Sequence, residues 1–97
     1  MSESLTKLRK NVEQIDNQMV RLLQKRMLLV QEIGSLKKEL GLDLIDSVRE
    51  RQVLEHAASI PHAPIPTRLL EDLFLQIIRI AREMQFPAEP DRNGEKP

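Results

Sequence analysis

Residues 5–40 read LTKLRKNVEQIDNQMVRLLQKRMLLVQEIGSLKKEL, and an aliphatic side chain recurs in them every three or four positions. The aliphatic members of this stripe, which we call the seam, are Leu5, Leu8, Val12, Ile15, Met19, Leu22, Leu29, Ile33, Leu36 and Leu40. The seam is interrupted by Arg26, which places a charge where the pattern favours an apolar residue. A period of this kind predicts one long amphipathic helix with a narrow apolar stripe.

The length of this helix implies an oligomer. About 36 residues at about 1.5 Å per residue give a rod roughly 54 Å long, whereas a compact domain of this size has a radius of gyration of about 13 Å. The helix must therefore extend beyond its own fold and expose its seam. A second copy of the chain is the simplest partner that could bury this seam. The seam is also expected to pack on the rest of the chain, so that no continuous two-stranded coiled coil forms.

Composition predicts an all-helical, soluble, cytoplasmic protein. The chain has 97 residues, of which 40% are hydrophobic and 31% charged, and no apolar run is long enough to cross a bilayer. Its 15 basic and 15 acidic residues cancel, which disfavours nucleic acid or a membrane as the main partner. The absence of cysteine excludes disulfides and thiol chemistry. The first residues lack the pattern of a signal peptide.

Two shorter helices are predicted after the long one. The first helix should span Ser4–Leu40 and end at Gly41, because glycine adopts the left-handed conformation that terminates helices. A second helix should start near Asp46 or Ser47, since Ser47 and Glu50 have the spacing of a capping box. Its apolar face is expected to contain Val53, Leu54, Ala57 and Ala58.

The third helix is predicted to follow a proline-rich connector. Residues 61–66 contain three prolines and should be extended, and Thr67 is expected to cap the helix that follows. The predicted apolar face of this helix is Leu70, Leu73, Phe74, Ile77, Ala81 and Met84. Pro87 should end it. We therefore expect one helical domain over residues 1–86 and a polar, disordered tail or linker over residues 87–97.

The placement of cations on the long helix predicts a shared site. Arg9 and Lys37 occupy the same heptad position but lie roughly 42 Å apart along one helix, so they cannot bind one small ligand within one chain. If two long helices cross antiparallel near residue 23, Arg9 of one chain approaches Lys37 of the other. Because Arg26 would face the same interior, a symmetric dimer would contain two cationic pockets.

Each of these residues also has a purely structural interpretation. Arg26 could set the register of a helix pair, Arg9 and Lys37 could be solvated surface charges, and Glu50 could be a helix cap. Gln85 could be an ordinary polar residue at a helix end. On these interpretations the chain is a non-catalytic helical dimerisation or regulatory module. The ordered combination of these residues favours a binding site.

That combination resembles the all-helical (AroQ-class) chorismate mutases over about residues 5–85. The matching residues are Leu8-Arg9, Ile15-Asp16, Leu22-Leu23 with Arg26, Gly34 with Lys37, the group Asp46, Arg49, Glu50 and Arg51, and Phe74 to Ile78 followed by Gln85. The resemblance implies an all-α fold of three helices with a very long first helix in an intertwined antiparallel homodimer. It also implies the [3,3] rearrangement of chorismate to prephenate in phenylalanine and tyrosine biosynthesis, without a cofactor or a metal.

The resemblance also assigns roles to individual residues. Arg26, together with Arg9 of the partner subunit, would bind the two substrate carboxylates, and Arg49 would add positive potential. Lys37 and Gln85 would face the ether oxygen. In addition, Glu50 would accept a hydrogen bond from the ring hydroxyl and Asp46 would assist through its backbone or side chain. His56 and His62 are expected to be structural or surface residues.

Ala81 departs from the family pattern. Enzymes of this class often have a serine one helical turn before the glutamine, whereas Ala81 cannot donate a hydrogen bond. We therefore expect a weaker or water-mediated substrate contact at this position, with an effect on affinity more than on chemistry. Another possible activity on the same fold is the removal of pyruvate from isochorismate, which only product analysis distinguishes from the mutase reaction.

Overall fold

The computed structural model describes residues 2–86 and contains three helices: α1 (Glu3–Leu40), α2 (Ser47–Ser59) and α3 (Thr67–Gln85). No strand occurs within that range. The predicted all-α class with a very long first helix is thus confirmed. The chain is elongated and flat, with a radius of gyration of 17.5 Å and extents of 57 × 41 × 17 Å. The predicted tail, residues 87–97, lies outside the described residues.

Both ends of α1 are capped by local hydrogen bonds. The Ser2 side chain accepts from the Leu5 N–H at 2.9 Å, so the helix begins one residue earlier than predicted. At the other end Gly41 has a φ of 72° and its N–H donates to the Lys38 carbonyl. The Leu42 N–H then donates to the Lys37 carbonyl at 2.8 Å. These bonds form a Schellman turn, which confirms the predicted end at Gly41.

The predicted caps of the two shorter helices are wrong in detail. Asp46, rather than Ser47, is the N-cap of α2, and its Oδ1 accepts from the Arg49 N–H at 3.0 Å. Ser47 is already helical, so it cannot take the extended conformation that a cap requires. The N-cap of α3 is Pro66, which forms no side-chain cap bond, while Thr67 is its first helical residue.

Thr67 instead contributes to the connector between α2 and α3. Its hydroxyl lies 2.9 Å from Nε2 of His62, whose Nδ1 lies 2.7 Å from the Ile60 carbonyl. Because a carbonyl only accepts, Nδ1 must donate there and Nε2 is left to accept from the hydroxyl in the neutral ring. The Ile65 N–H also donates to the His62 carbonyl at 2.8 Å. The connector therefore contains a hydrogen-bonded turn, and the prediction that it is extended is wrong.

A small core lies where α3 packs against both α1 and α2. Its buried residues are Gly34, Ala57, Leu70 and Ile78. The predicted apolar face of α2 is confirmed, since Val53, Leu54, Ala57 and Ala58 are all partly or fully buried. On α3 the prediction missed Ile78 and included Leu73, which is 54% exposed. Because α3 contacts two helices, its buried stripe is centred closer to Ile78 than the α3 sequence alone suggests.

The seam of α1 is not covered within one chain. Its ten aliphatic residues are all between 42% and 63% exposed. A different face of the helix is shielded, and it contains Arg26, Met27, Val30, Gly34 and Lys37. The expectation that the seam also packs on α2 and α3 is therefore wrong for the isolated chain. The predicted homodimer stays a prediction.

Candidate active site

The carboxyl-terminal half of α1, the start of α2 and the end of α3 surround a cleft of about 250 Å³. Its polar lining consists of Arg26, Lys37, Asp46, Arg49, Glu50, Arg82 and Gln85. Its apolar lining consists of Leu29, Val30, Ile33, Leu44, Val53, Ile78 and Ala81. The fold thus places the predicted site residues of this chain in one cleft, with the exception of Arg9. Arg9 is an exposed residue near the far end of α1.

Lys37 is held on one side of this cleft by two hydrogen bonds. Its Nζ donates to the Leu44 carbonyl at 2.8 Å and to Oε1 of Gln85 at 2.9 Å. The Schellman turn at Gly41 reverses the chain after α1 and so brings Leu44 back to Lys37. An ammonium group has three N–H bonds. The third therefore remains for a ligand.

The contact with Lys37 also orients the Gln85 amide. Because an ammonium group only donates, the carbonyl oxygen of the amide must face Lys37, and the NH2 group of Gln85 remains as a donor. Both side chains are partly buried, which strengthens hydrogen bonds relative to those in bulk water. The pair can therefore present two N–H donors to one acceptor atom in the cleft.

Gly34 permits the close approach of α1 and α3 at this point. A Cβ atom on Gly34 would lie 2.8 Å from the backbone oxygen of Gln85 and 2.9 Å from its Cα. Any larger residue would push α3 away. Gly34 lies three residues before Lys37, on the same face of α1, so the packing of the glycine also sets the distance between Lys37 and Gln85. The resemblance to the chorismate mutases included Gly34 but assigned it no role.

Arg26 reaches the cleft with an unpaired nitrogen. Its Nη1 atom is buried and has no hydrogen-bond partner among residues 2–86. Burying a guanidinium N–H without an acceptor is costly, and such groups in native proteins usually meet an anion or an oxygen ligand. The buried, unpaired Nη1 of Arg26 is thus free to bind an anion that enters the cleft.

Glu50 forms an ion pair that the sequence did not predict. Both of its carboxylate oxygens accept from Arg82 on α3, from Nε and from Nη2, each at 2.7 Å. These hydrogen bonds are the main cause of a lowered Glu50 pKa, and burial of the carboxylate partly opposes the shift. Arg82 lies three residues before Gln85, and this helical spacing is the signal that could have identified it.

The cleft has an excess of positive charge. Its lining carries four cationic side chains, Arg26, Lys37, Arg49 and Arg82, and two carboxylates, Asp46 and Glu50, which gives a formal charge of +2. A small organic dianion would balance this charge. In the described part of the chain, His, Cys, Asp and Glu side chains form no group of three that could hold a metal ion. None of the three helices is both long and apolar enough to span a membrane.

A family model for type II chorismate mutases matches residues 8–86, which cover all of α2 and α3 and most of α1. The chain belongs to the type II chorismate mutase family. The predicted resemblance is confirmed by this match. A solved chorismate mutase structure from Thermus thermophilus (form II) superimposes with a TM-score of 0.83 at 35% identity, covering 86% of this chain and 94% of that one.

Two curated relatives of this type II chorismate mutase family member match it over part of their own length. A 3-dehydroquinate dehydratase from Pyrobaculum aerophilum is 42% identical over 84 residues, which are 87% of this chain but 25% of the relative. A chorismate mutase from Methanocaldococcus jannaschii is 31% identical over 55 residues, 57% of this chain and 56% of the relative. The chain thus spans between a quarter and just over half of the length of these curated relatives.

Proposed function

We propose that this chain catalyses the [3,3] rearrangement of chorismate to prephenate, a step towards phenylalanine and tyrosine. The observation that carries this proposal is the hydrogen bond between Lys37 and Gln85, which leaves N–H donors on both side chains beside a cleft with a formal charge of +2. The reaction is intramolecular and requires no nucleophile. A protein that restrains the substrate and stabilises developing charge is sufficient for it.

Restraint of the substrate is the proposed role of the arginines. Chorismate is a dianion that reacts when its enolpyruvyl side chain folds over the ring, so its two carboxylates must be held in a compact geometry. The unpaired, buried Nη1 of Arg26 supports a direct contact with one carboxylate. Arg49 on α2, which also lines the cleft, would add positive potential. Arg9 of the partner subunit would bind the other carboxylate.

Stabilisation of charge is the proposed role of Lys37 and Gln85. As the ether bond breaks, negative charge develops on the ether oxygen, and the free N–H groups of these two residues would donate to it. Each donor aimed at a developing charge can lower the barrier by about 3 kcal/mol, roughly a hundredfold in rate. The donors are held in place by the Leu44 carbonyl and by each other, so little reorganisation accompanies the reaction.

Glu50 and Asp46 have supporting roles in this proposal. The Glu50 carboxylate retains one lone pair on each oxygen beyond those used by Arg82, so it can also accept from the ring hydroxyl of the substrate. The Asp46 side chain is engaged as the cap of α2 by accepting from the Arg49 N–H. Asp46 would therefore act by holding the start of α2 in place and through its backbone.

The proposed active form is a homodimer with two shared sites. The seam is exposed along the full length of α1, and a helix of 38 residues is far longer than the part that α3 covers. An antiparallel copy crossing near residue 23 would bury the seam. It would also bring Arg9 of the partner subunit to the cleft, because Arg9 and Lys37 are equidistant from that crossing point.

An assay with purified protein tests the proposal. The loss of ultraviolet absorbance of chorismate should be followed, and the product identified as prephenate by chromatography and mass spectrometry. Lys37→Ala should lose about a hundredfold or more in kcat, whereas the matched variant Lys38→Ala, an exposed neighbour on α1, should keep wild-type activity. A folded wild-type protein without turnover would contradict the proposal and favour a non-catalytic module. Release of pyruvate from isochorismate would favour the lyase activity.

A further inference from the structure

The ion pair between Glu50 and Arg82 joins α2 to α3 at the edge of the cleft. Both contacts measure 2.7 Å, and the two residues are 32 positions apart in the sequence. The Glu50 side chain is 22% exposed and that of Arg82 is 44% exposed, so the carboxylate is the more enclosed partner. The roles proposed above use Glu50 and leave Arg82 unexplained.

A two-point contact determines more than the position of the carboxylate. A fork of two N–H donors holds the carboxylate in the plane of the guanidinium, so Glu50 cannot rotate freely about its last torsion. The remaining lone pairs then have fixed directions. A single ammonium group at the same place would not impose this orientation, because it acts as a point charge.

Charged groups from all three helices surround the Glu50 carboxylate. Lys37 on α1 and Arg82 on α3 lower the Glu50 pKa, while Asp46 at the start of α2 raises it. The hydrogen bonds from Arg82 make the largest contribution, and burial acts in the opposite direction. Without Arg82, Lys37 would be the main cation left to compensate Glu50.

This competition for Glu50 affects the free donor of Lys37. Glu50 and Lys37 line the same cleft, and Lys37 already donates to the Leu44 carbonyl and to Gln85. If Glu50 were released from Arg82, its carboxylate would be attracted to the third N–H of Lys37. That donor would then be lost to the substrate, and the lysine would be drawn away from Gln85.

We propose that Arg82 is a positioning residue that acts through Glu50: it aims the Glu50 carboxylate at the substrate hydroxyl and prevents it from pairing with Lys37. This inference rests on the proposed function, because it assumes that Glu50 and Lys37 meet the same substrate. Arg82 itself need not touch the substrate.

The test compares Arg82→Gln with Arg79→Gln, an exposed arginine on the same helix whose one side-chain hydrogen bond within residues 2–86 is to Gln76. Arg82→Gln should lower kcat/KM about tenfold and lower kcat as well as raise KM, because both Glu50 and Lys37 are affected. The acid limb of its pH–rate profile should also move to higher pH. Arg79→Gln should match the wild type in kcat, in KM and in the position of the acid limb. Arg82→Lys should move the acid limb less than Arg82→Gln does and should also lose affinity, since a lysine keeps the charge and loses the two-point contact.

A double-variant cycle separates positioning from a structural role. In the Glu50→Gln background, Arg82→Gln should cause no further loss of kcat/KM, because its effect passes through Glu50. An equal loss in both backgrounds, or an unchanged acid limb in Arg82→Gln, overturns the proposal. Circular dichroism should show that the variants fold. If Arg82→Gln does not fold, Arg82→Lys takes its place in the comparison.

The outcome can be distinguished from a failure of the proposed function itself. If the wild type does not convert chorismate, the enzymatic proposal fails, and the titration of the Glu50 carboxyl group followed by carbon-13 NMR still tests Arg82. The apparent pKa of Glu50 should rise in Arg82→Gln and stay as in the wild type in Arg79→Gln. An unchanged Glu50 titration in Arg82→Gln would show that the arginine does not control this carboxylate.

Discussion

The ammonium group of Lys37 and the amide oxygen of Gln85 lie 2.9 Å apart, although the two residues are 48 positions apart in the sequence. This contact joins α1 to α3 and determines which end of the amide faces the cleft. It also links the chemistry of the site to the packing of Gly34 against the backbone of Gln85.

The amide of Gln85 should give activity over a broad pH range. An amide donor needs no proton uptake, so wild-type activity should persist through neutral and mildly alkaline pH. In Gln85→Glu an ionised carboxylate has no donor, and activity should be confined to acid solution. A pH–rate profile of both proteins checks this. A wild-type profile confined to acid would contradict the assigned role of Gln85.

Gly34→Ala should be destabilising even though alanine favours helices. In an open helix position this change would stabilise by about 1 kcal/mol, but here the new methyl group meets the backbone of Gln85 at 2.8 Å. Overpacking of this kind costs about 1–3 kcal/mol and should shift Gln85 away from Lys37. The free energy of unfolding measured in urea and the value of kcat should both be lower than in Ser35→Ala, a change at an exposed neighbouring residue. A more stable, fully active Gly34→Ala would refute the tight contact.

Arg9→Ala and Lys37→Ala should complement each other when mixed. Each variant should be inactive as a homodimer, since either change damages both shared sites. A mixed dimer has one intact site and one with both changes, so up to half of the normal activity per heterodimer should return. Subunit exchange should be verified by native mass spectrometry before the assay. No recovery after verified exchange would argue against a site that includes Arg9 of the partner subunit.

Ala81→Ser should improve substrate binding. Ala81 lines the cleft one helical turn before Gln85 and is partly buried, so a hydroxyl group there would face the substrate. One added hydrogen bond is worth about 1 kcal/mol, or roughly a fivefold decrease in KM with little change in kcat. Steady-state kinetics measure both values, with Ala58→Ser on α2 as the control. An unchanged or higher KM would place the methyl group outside the binding surface.

The ion pair of Glu50 should make stability depend on pH in acid solution. The Glu50 pKa is lowered in the folded state from its ordinary value of 4.5, chiefly by hydrogen bonds from Arg82. A lowered folded pKa means that the stabilisation is present above 4.5 and is lost as the pH falls through the folded value. The free energy of unfolding of the wild type should therefore exceed that of Glu50→Gln at pH 6, and the difference should shrink in acid. A constant difference at all pH values would exclude this linkage.

Much of the secondary structure could be predicted from local patterns. The seam and Gly41 predicted α1 to within one residue, because periodicity and a left-handed glycine act within a few residues of chain. The caps of α2 and α3 were harder, since Asp46 and Ser47 are both good caps and adjacent. The choice between them depends on where the chain leaves the loop, which the local sequence does not determine.

The candidate site was predictable in its members and less so in its contacts. Resemblance to the family identified Lys37, Gln85 and Arg26, and the fold places them in one cleft. The spacing of Arg82 from Gln85 could have placed it near the site, but its pairing with Glu50 was not predictable because Glu50 lies on another helix. The pairing depends on how α2 packs on α3, and many residue pairs at similar separations do not meet.

The helices, the exposed seam and the set of polar residues were predictable from the sequence, since they follow from spacing along the chain and from residue chemistry. Two contacts depend on helix packing: Gly34 admits Gln85 to within hydrogen-bond reach of Lys37, and Arg82 engages Glu50. Hydrogen bonds act over only about 3 Å. Whether two residues far apart in the chain come that close depends on the packing of whole helices.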